Sequence, residues 1–154
     1  METCLFCQSY KYLPSAIGGL VYEDDLVYAH HYCRDEGPSY LGYLLLKTKR
    51  HVPGFEDLDE AEAQAVGLAV TRLSHALKVC TGAVKVYLEA YGEVNPHLHL
   101  HLIARYPGTP EEYWRWKVGR WPEAPCGNAS EVAALCDQLR ARLGTNTSSN
   151  LVSK

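Results

Sequence analysis

The sequence predicts an α+β fold, in which an antiparallel sheet of about five strands packs against one long helix and C-terminal helices. Two observations support this prediction. Short segments rich in β-branched and aromatic residues are separated by turn signals, which is typical of strands in an antiparallel sheet. One stretch in the middle of the chain instead repeats its apolar residues at the spacing of an amphipathic helix.

The first third of the chain contains two predicted loops and three predicted strands. Residues 1–18 are expected to form a loop, and residues 19–31 predict two short strands around an acidic turn. Residues 33–38 are polar and contain Gly and Pro, which predicts a second loop. Residues 41–49 have a continuous apolar centre, so they predict a third strand that is buried on both faces.

The long helix is expected to begin at a capping box. Asp57 is followed three residues later by Glu60, and the apolar pattern behind this pair continues for about 22 residues to a stop signal near Gly82. Two further strands are predicted over residues 83–91 and 97–105.

The C-terminal part predicts helices over residues 110–119 and 130–143. With 47% apolar and 21% charged residues, the composition suits one well-packed core, and residues 1–143 are predicted to form a single domain. Residues 144–154 are small and polar, which predicts a disordered tail.

Composition also excludes several classes of partner. The formal net charge is −3 and the basic residues are scattered, so the charge pattern argues against binding to a long nucleic acid and leaves a small anionic ligand open. No apolar run approaches the roughly 20 residues that span a bilayer, and the N-terminus lacks the pattern of a secretory signal. A cytoplasmic protein is therefore predicted, in which the six cysteines are thiols or metal ligands rather than disulfides.

The most informative segment is the run of three histidines that alternate with leucines. In a strand, His97, His99 and His101 would share one face at a spacing of about 6.6 Å, while the leucines enter the core. Such a group of imidazoles can bind a metal ion or attack phosphorus. The pattern alone leaves both possibilities open.

Four segments together resemble the histidine triad superfamily of nucleotide hydrolases and transferases. The resemblance covers about residues 4–106. Its segments, in order, are Cys4-Leu5-Phe6-Cys7 with Tyr22 to Tyr28, the strand from Gly42 to Val52, the helix opening Asp57-Leu58, and His97 to Ile103.

The resemblance implies that His99 attacks the α-phosphorus of a nucleotide and forms a covalent nucleotidyl-histidine, while His101 contacts the same phosphate. It implies a hydrolase acting on substrates such as dinucleoside polyphosphates or nucleoside phosphoramidates. The alternatives are a nucleotidyltransferase or phosphorylase of the same superfamily, and a nucleotide-binding module without turnover. A homodimer is also implied.

Two positions depart from the family pattern. Glu93-Val94 stands where much of the family has polar residues that contact phosphate, and Asn95-Pro96 before the first histidine is instead similar to the galactose-1-phosphate uridylyltransferase branch. Lys47 stands where the family often has an apolar residue.

Cys4 and Cys7 have the spacing of a zinc half-site. The resemblance implies that His51 and His97 complete a structural zinc site. A redox pair and two incidental buried thiols are the alternatives.

The remaining candidates are weaker. The resemblance suggests Asp35 as a ribose ligand, although loop acids are usually only solvated. Asn95 and His97 are further candidates for substrate binding, although an asparagine before proline is common in turns. The aromatic and basic residues over 113–121 could stack a base or dock a helix on the sheet.

Overall fold

The predicted α+β fold is confirmed. The computed structural model describes residues 4–149, with side chains described through Gly144. Five strands form one antiparallel sheet in the order β1-β2-β4-β6-β5. Their bounds are Leu20–Glu23 for β1, Val27–His31 for β2, Tyr43–Thr48 for β4, Lys85–Ala90 for β5 and His99–Arg105 for β6.

The two faces of this sheet differ in chemistry because neighbouring side chains of a strand alternate. One face packs against the long helix α2 (Glu60–Thr81), and its core includes Leu44, Leu46, Leu100 and Leu102. On the other face, the pairing of β4 with β6 sets Lys47 opposite His99 and Leu45 opposite His101. Tyr43 and Ile103, which pair with each other, lie on the same face. The apolar centre of β4 is buried, as predicted.

Helix α2 begins two residues later than predicted. The capping box is formed by Asp59 and Glu62: the Asp59 carboxylate accepts from the Glu62 amide, and the Glu62 carboxylate accepts from the Asp59 amide. Residues 55–57 form a 3₁₀ turn instead. The predicted pair Asp57 and Glu60 was wrong because three acidic residues precede the helix, and the Arg50 guanidinium bonds to Glu62 in a tertiary contact that the local pattern does not reveal.

The chain before β1 is more ordered than predicted. Helix α1 (Leu5–Ser9) is followed by a 3₁₀ helix over Tyr10–Ser15, where a loop was expected. The predicted helix over 110–119 is instead two 3₁₀ segments, Glu111–Tyr113 and Arg115–Arg120. A small second sheet pairs β3 (Ser39–Tyr40) with β7 (Cys126–Gly127), which the sequence did not predict.

The last helix, α3 (Ala129–Ser149), packs against α2 and β1. It continues six residues past the predicted end at Leu143, so the beginning of the predicted tail is helical. Residues 150–154 of that tail lie outside the described residues. Within the described part of the chain, no helix combines the length and apolarity needed to cross a membrane.

Candidate functional site

Cys4, Cys7, His51 and His97 meet at one end of the sheet. Their ligand atoms all lie within 4.8 Å of one another. Nδ1 of His97 is 3.4 Å from each sulfur, and Nδ1 of His51 is 3.6 Å from the Cys7 sulfur. In a tetrahedral site with metal bonds of about 2.0–2.3 Å, ligand atoms lie about 3.5 Å apart. The four residues can therefore hold a metal ion.

The tautomer of His97 suits metal binding. Its Nε2–H donates to the Thr48 carbonyl at 2.8 Å, so Nδ1 keeps its lone pair and directs it toward both sulfurs. Burial lowers the pKa of His97, which keeps the ring neutral as a metal ligand requires. His97 is only 1% exposed and both of its nitrogens are engaged, so its ring belongs to the four-residue group, and its predicted contact with substrate stays a prediction.

The two cysteines lie at the start of α1. Cys4 is the N-cap residue and Cys7 follows three positions later, so one helical turn brings both sulfurs to the same side. Burial raises the pKa of the Cys4 thiol, but hydrogen bonds from the backbone and thiol of Cys7 together lower it by more. The resulting pKa of Cys4 lies below its ordinary value. A thiolate is the form that binds metals.

His99 and His101 lie next to each other on the face of the sheet that α2 does not cover. Their ring centroids are 5.0 Å apart. Nδ1–H of His99 donates to the His97 carbonyl at 2.7 Å, so Nε2 is the nitrogen with the free lone pair. The Phe6 ring packs edge-on against His99 at 4.9 Å, which leaves the imidazole 9% exposed.

His101 is held by Tyr43. The Tyr43 oxygen lies 2.7 Å from Nδ1 of His101, and burial raises the pKa of Tyr43 to about 12, so the hydroxyl keeps its proton near pH 7. With this hydroxyl as the donor to Nδ1, Nε2 of His101 carries the ring proton. Burial, with smaller effects of His99 and Lys47, lowers the pKa of His101 to about 4, so the ring is neutral near pH 7.

Two cavities border this face. The larger, about 590 Å³, lies between α1 and strands β2 and β4, and its lining includes Phe6, His30 and Lys47. The smaller, about 350 Å³, is lined in part by Tyr43 and Trp116. Both volumes fall in the range of small-molecule sites, which is about 300–1,000 Å³.

Asp35 and Asn95, the other two predicted substrate-binding residues, lie in different loops. Asp35 is exposed in the loop after β2 and lies in the lining of the larger cavity. Asn95 lies in the loop before β6, where its carbonyl accepts a hydrogen bond from the His97 amide at 2.7 Å, and it borders neither cavity. Their roles in substrate binding stay predictions.

Three residues near the histidines carry no role in the sequence-based prediction: Phe6, Tyr43 and Lys47. Tyr43 and Lys47 could have been found from strand alternation. Both lie an even number of residues from Leu45, so all three side chains lie on the face of the sheet that also carries His99 and His101. Phe6 carried no such signal, because only the path of α1 places it over the histidines.

The aromatic and basic segment over 113–121 packs in part on the sheet, and its role in stacking a base stays a prediction. Trp114 packs under the Arg105 guanidinium at 4.0 Å and its indole N–H donates to the Thr109 carbonyl, which docks the segment on β6. Trp116 is 51% exposed, with Arg120 over its ring, at the smaller cavity.

Comparison with known proteins agrees with this geometry. A family model described as HIT domain matches residues 16–108, which is more than half of the chain. A search of curated proteins finds no match.

Solved structures share the fold over nearly the whole chain. A zinc-bound histidine triad family protein from Mycobacterium smegmatis is 19% identical, covers 96% of this chain and 98% of its own, and has a TM-score of 0.69. A Hit-like protein from Bartonella henselae is 21% identical, with 92% and 98% covered and a TM-score of 0.66. A hypothetical histidine triad nucleotide-binding protein from Sulfolobus tokodaii is 23% identical, with 92% and 93% covered and a TM-score of 0.66.

Proposed function

Because the chain belongs to the HIT domain family, whose members are in general nucleotide-binding hydrolases or transferases, we propose that it cleaves nucleotide phosphoanhydrides or phosphoramidates at the α-phosphorus. Dinucleoside polyphosphates and nucleoside phosphoramidates are the proposed substrates. The observation that carries this proposal is the orientation of His99, whose Nδ1–H is fixed on the His97 carbonyl so that Nε2 offers its lone pair.

The reaction has two steps. His99 Nε2 bonds to the α-phosphorus and the bond to the leaving group breaks, with the electron pair departing on the leaving oxygen or nitrogen. His101 Nε2–H lies on the neighbouring ring and donates a hydrogen bond to that atom, while a leaving nitrogen takes its proton from solvent. Water then attacks phosphorus and loses its proton to solvent, and the phosphorus–nitrogen bond breaks to release a nucleoside monophosphate and neutral His99.

Positions around the histidines support this division of roles. A neutral His101 with its proton on Nε2 can donate a hydrogen bond to the leaving atom without losing that proton. This tautomer is the one that a hydrogen bond donated by the Tyr43 hydroxyl to Nδ1 would favour. The larger cavity borders the same face and would take the nucleoside.

The test is covalent labelling. The protein is mixed with an α-³²P-labelled dinucleoside polyphosphate, quenched in base to preserve phosphoramidates, and the label on protein is counted. We expect an acid-labile adduct in the wild type and in the control His75→Ala, whose histidine is exposed on α2, and none in His99→Ala. Wild-type binding of the nucleotide without adduct or product would contradict hydrolysis and favour a binding module. Transfer of label to added phosphate or sugar phosphate rather than water would favour a transferase.

The metal at the four-residue site is proposed to be zinc. Two thiols and two imidazoles are ligands that zinc prefers, and four protein ligands make a closed site with a structural role. When bound, the metal would tie α1, and with it Phe6, to the strands that carry the histidines. Native mass spectrometry should show one chelator-sensitive zinc increment in the wild type and in Cys126→Ser, whose thiol is exposed and outside the site. An unchanged increment in Cys4→Ser would show that the metal lies elsewhere.

The protein is further proposed to work in the cytoplasm as a homodimer. Both proposals rest on the sequence analysis.

A further inference from the structure

Lys47 is a buried cation in the centre of the sheet. Its side chain is 3% exposed, in a strand whose neighbouring residues are mostly apolar. The ammonium lies 3.7 Å from the centroid of the Phe6 ring. Among the described residues, no carboxylate lies within ion-pair distance of it; the three ion pairs there involve Lys49, Arg50 and Arg140.

Such a group is unfavourable for the unliganded fold. Removing an ammonium from water costs more than an aromatic face returns, and an apolar residue of similar length would pack in β4 without this penalty. Burial accordingly lowers the pKa of Lys47 to about 8, although the Cys4 sulfur acts in the opposite direction. The position would favour a lysine if a ligand supplies the missing negative charge.

Lys47 is placed beside the proposed nucleophile. It pairs directly with His99 across β4 and β6, so the two side chains leave the sheet on the same face with Cβ atoms about 5 Å apart. The direct partners of His101 are Leu45 and Glu89. Lys47 is therefore the one cation that the strand register sets opposite either histidine, and it also borders the larger cavity.

We propose that the Lys47 ammonium binds the non-bridging oxygens of the phosphate that His99 attacks and stabilises the charge that they carry in the transition state. The inference rests on the proposed function. Phosphoryl-type transfer depends mainly on positioning and on neutralising the equatorial oxygens, and a cation is most effective in a site from which water is excluded. Before substrate binds, the face of the Phe6 ring is the counterpart of the ammonium. Lys47 forms no covalent bond in either step.

The first arm of the test measures binding and does not require turnover. AMP and its phosphate-free counterpart adenosine are titrated into the wild type, Lys47→Met and Lys49→Met by calorimetry. Lys49 is the matched control, because it lies two residues away, is exposed and pairs with Glu23. We expect Lys47→Met to weaken AMP binding about tenfold or more, as the loss of one charge-assisted contact implies, and to leave adenosine unchanged. Equal affinities of the wild type for AMP and adenosine, or equal losses for both ligands in Lys47→Met, would overturn the proposal.

The second arm measures the rate of adduct formation in a single turnover. We expect Lys47→Met to slow it about 10²–10³-fold and Lys47→Arg, which keeps the charge, to recover part of the rate. Unchanged zinc content and melting temperature would show that both variants fold. If His99→Ala abolishes the adduct but Lys47→Met forms it at the wild-type rate, the role of Lys47 is wrong while the proposed function stands. If His99→Ala still forms the adduct, the proposed function itself fails.

Discussion

Replacing His31 should change how the stability of this protein depends on pH. The His31 ring is 2% exposed in β2, and its Nε2 accepts a hydrogen bond from the Gly42 amide at 3.1 Å. A proton on Nε2 would set a donor against that amide and place an unpaired charge in the protein interior. Burial therefore lowers the pKa of His31 from 6.5 to about 4.

The size of the effect follows from the two pKa values. Between pH 6.5 and 4 the unfolded chain binds a proton at His31 that the folded chain refuses, so the free energy of unfolding falls as pH falls through this window. Each pKa unit is worth about 1.4 kcal/mol, so lowering the pKa from 6.5 to about 4 removes about 3 kcal/mol between pH 7 and pH 4. Above pH 7 the contribution is complete and constant.

The assay is urea unfolding of the chelator-treated wild type and of His31→Gln at several pH values from 7.5 to 4. The glutamine oxygen can accept from Gly42 but does not titrate, so the difference in stability between the two proteins should shrink by about 3 kcal/mol over the window. The control His75→Gln changes an exposed histidine of α2 and should follow the wild type. Parallel curves for the wild type and His31→Gln would refute the reasoning.

Three further predictions concern the fold. Asp59→Ala should lower the free energy of unfolding by about 1 kcal/mol because it removes the N-cap of α2. Asp57→Ala should change it by less than about 0.5 kcal/mol. A larger loss for Asp57→Ala than for Asp59→Ala in urea unfolding would show that the helix begins at Asp57, as the sequence predicted. Gly42→Ala should cost about 1–2 kcal/mol or more, because Gly42 has φ +86° and an added Cβ would lie 3.0 Å from the Ala104 Cβ. Gly67→Ala, in an open part of α2, should instead stabilise by about 0.5–1 kcal/mol, and thermal unfolding of both glycine variants tests the contrast.

Local patterns were enough to locate most regular elements. The continuous apolar centre of β4 and the helical period of α2 each depend on residues within one element, so burial of one face fixes them wherever the element packs. The 3₁₀ segments between 110 and 120 were mistaken for an α-helix because their apolar spacing is similar over one turn. The β3–β7 pair was missed because two-residue strands carry no periodic signal.

The candidate site divides in the same way. Strand alternation alone placed His99 and His101 on one face. It also placed His97 there, but that residue lies in the bend before β6 and its ring enters the metal group instead. Which nitrogen of each ring is free depends on the Thr48 carbonyl for His97 and on Tyr43 for His101.

By itself, the sequence determined the residue types, their alternation and the spacing of Cys4 and Cys7, because these follow from positions a few residues apart. The tertiary structure decided that Cys4 meets His97 across 93 positions, that Phe6 covers His99, and that Lys47 is buried beside it without a carboxylate among the described residues. Contacts of this kind depend on strand order and on the path of α1 over the sheet. No local preference of the chain specifies either of them.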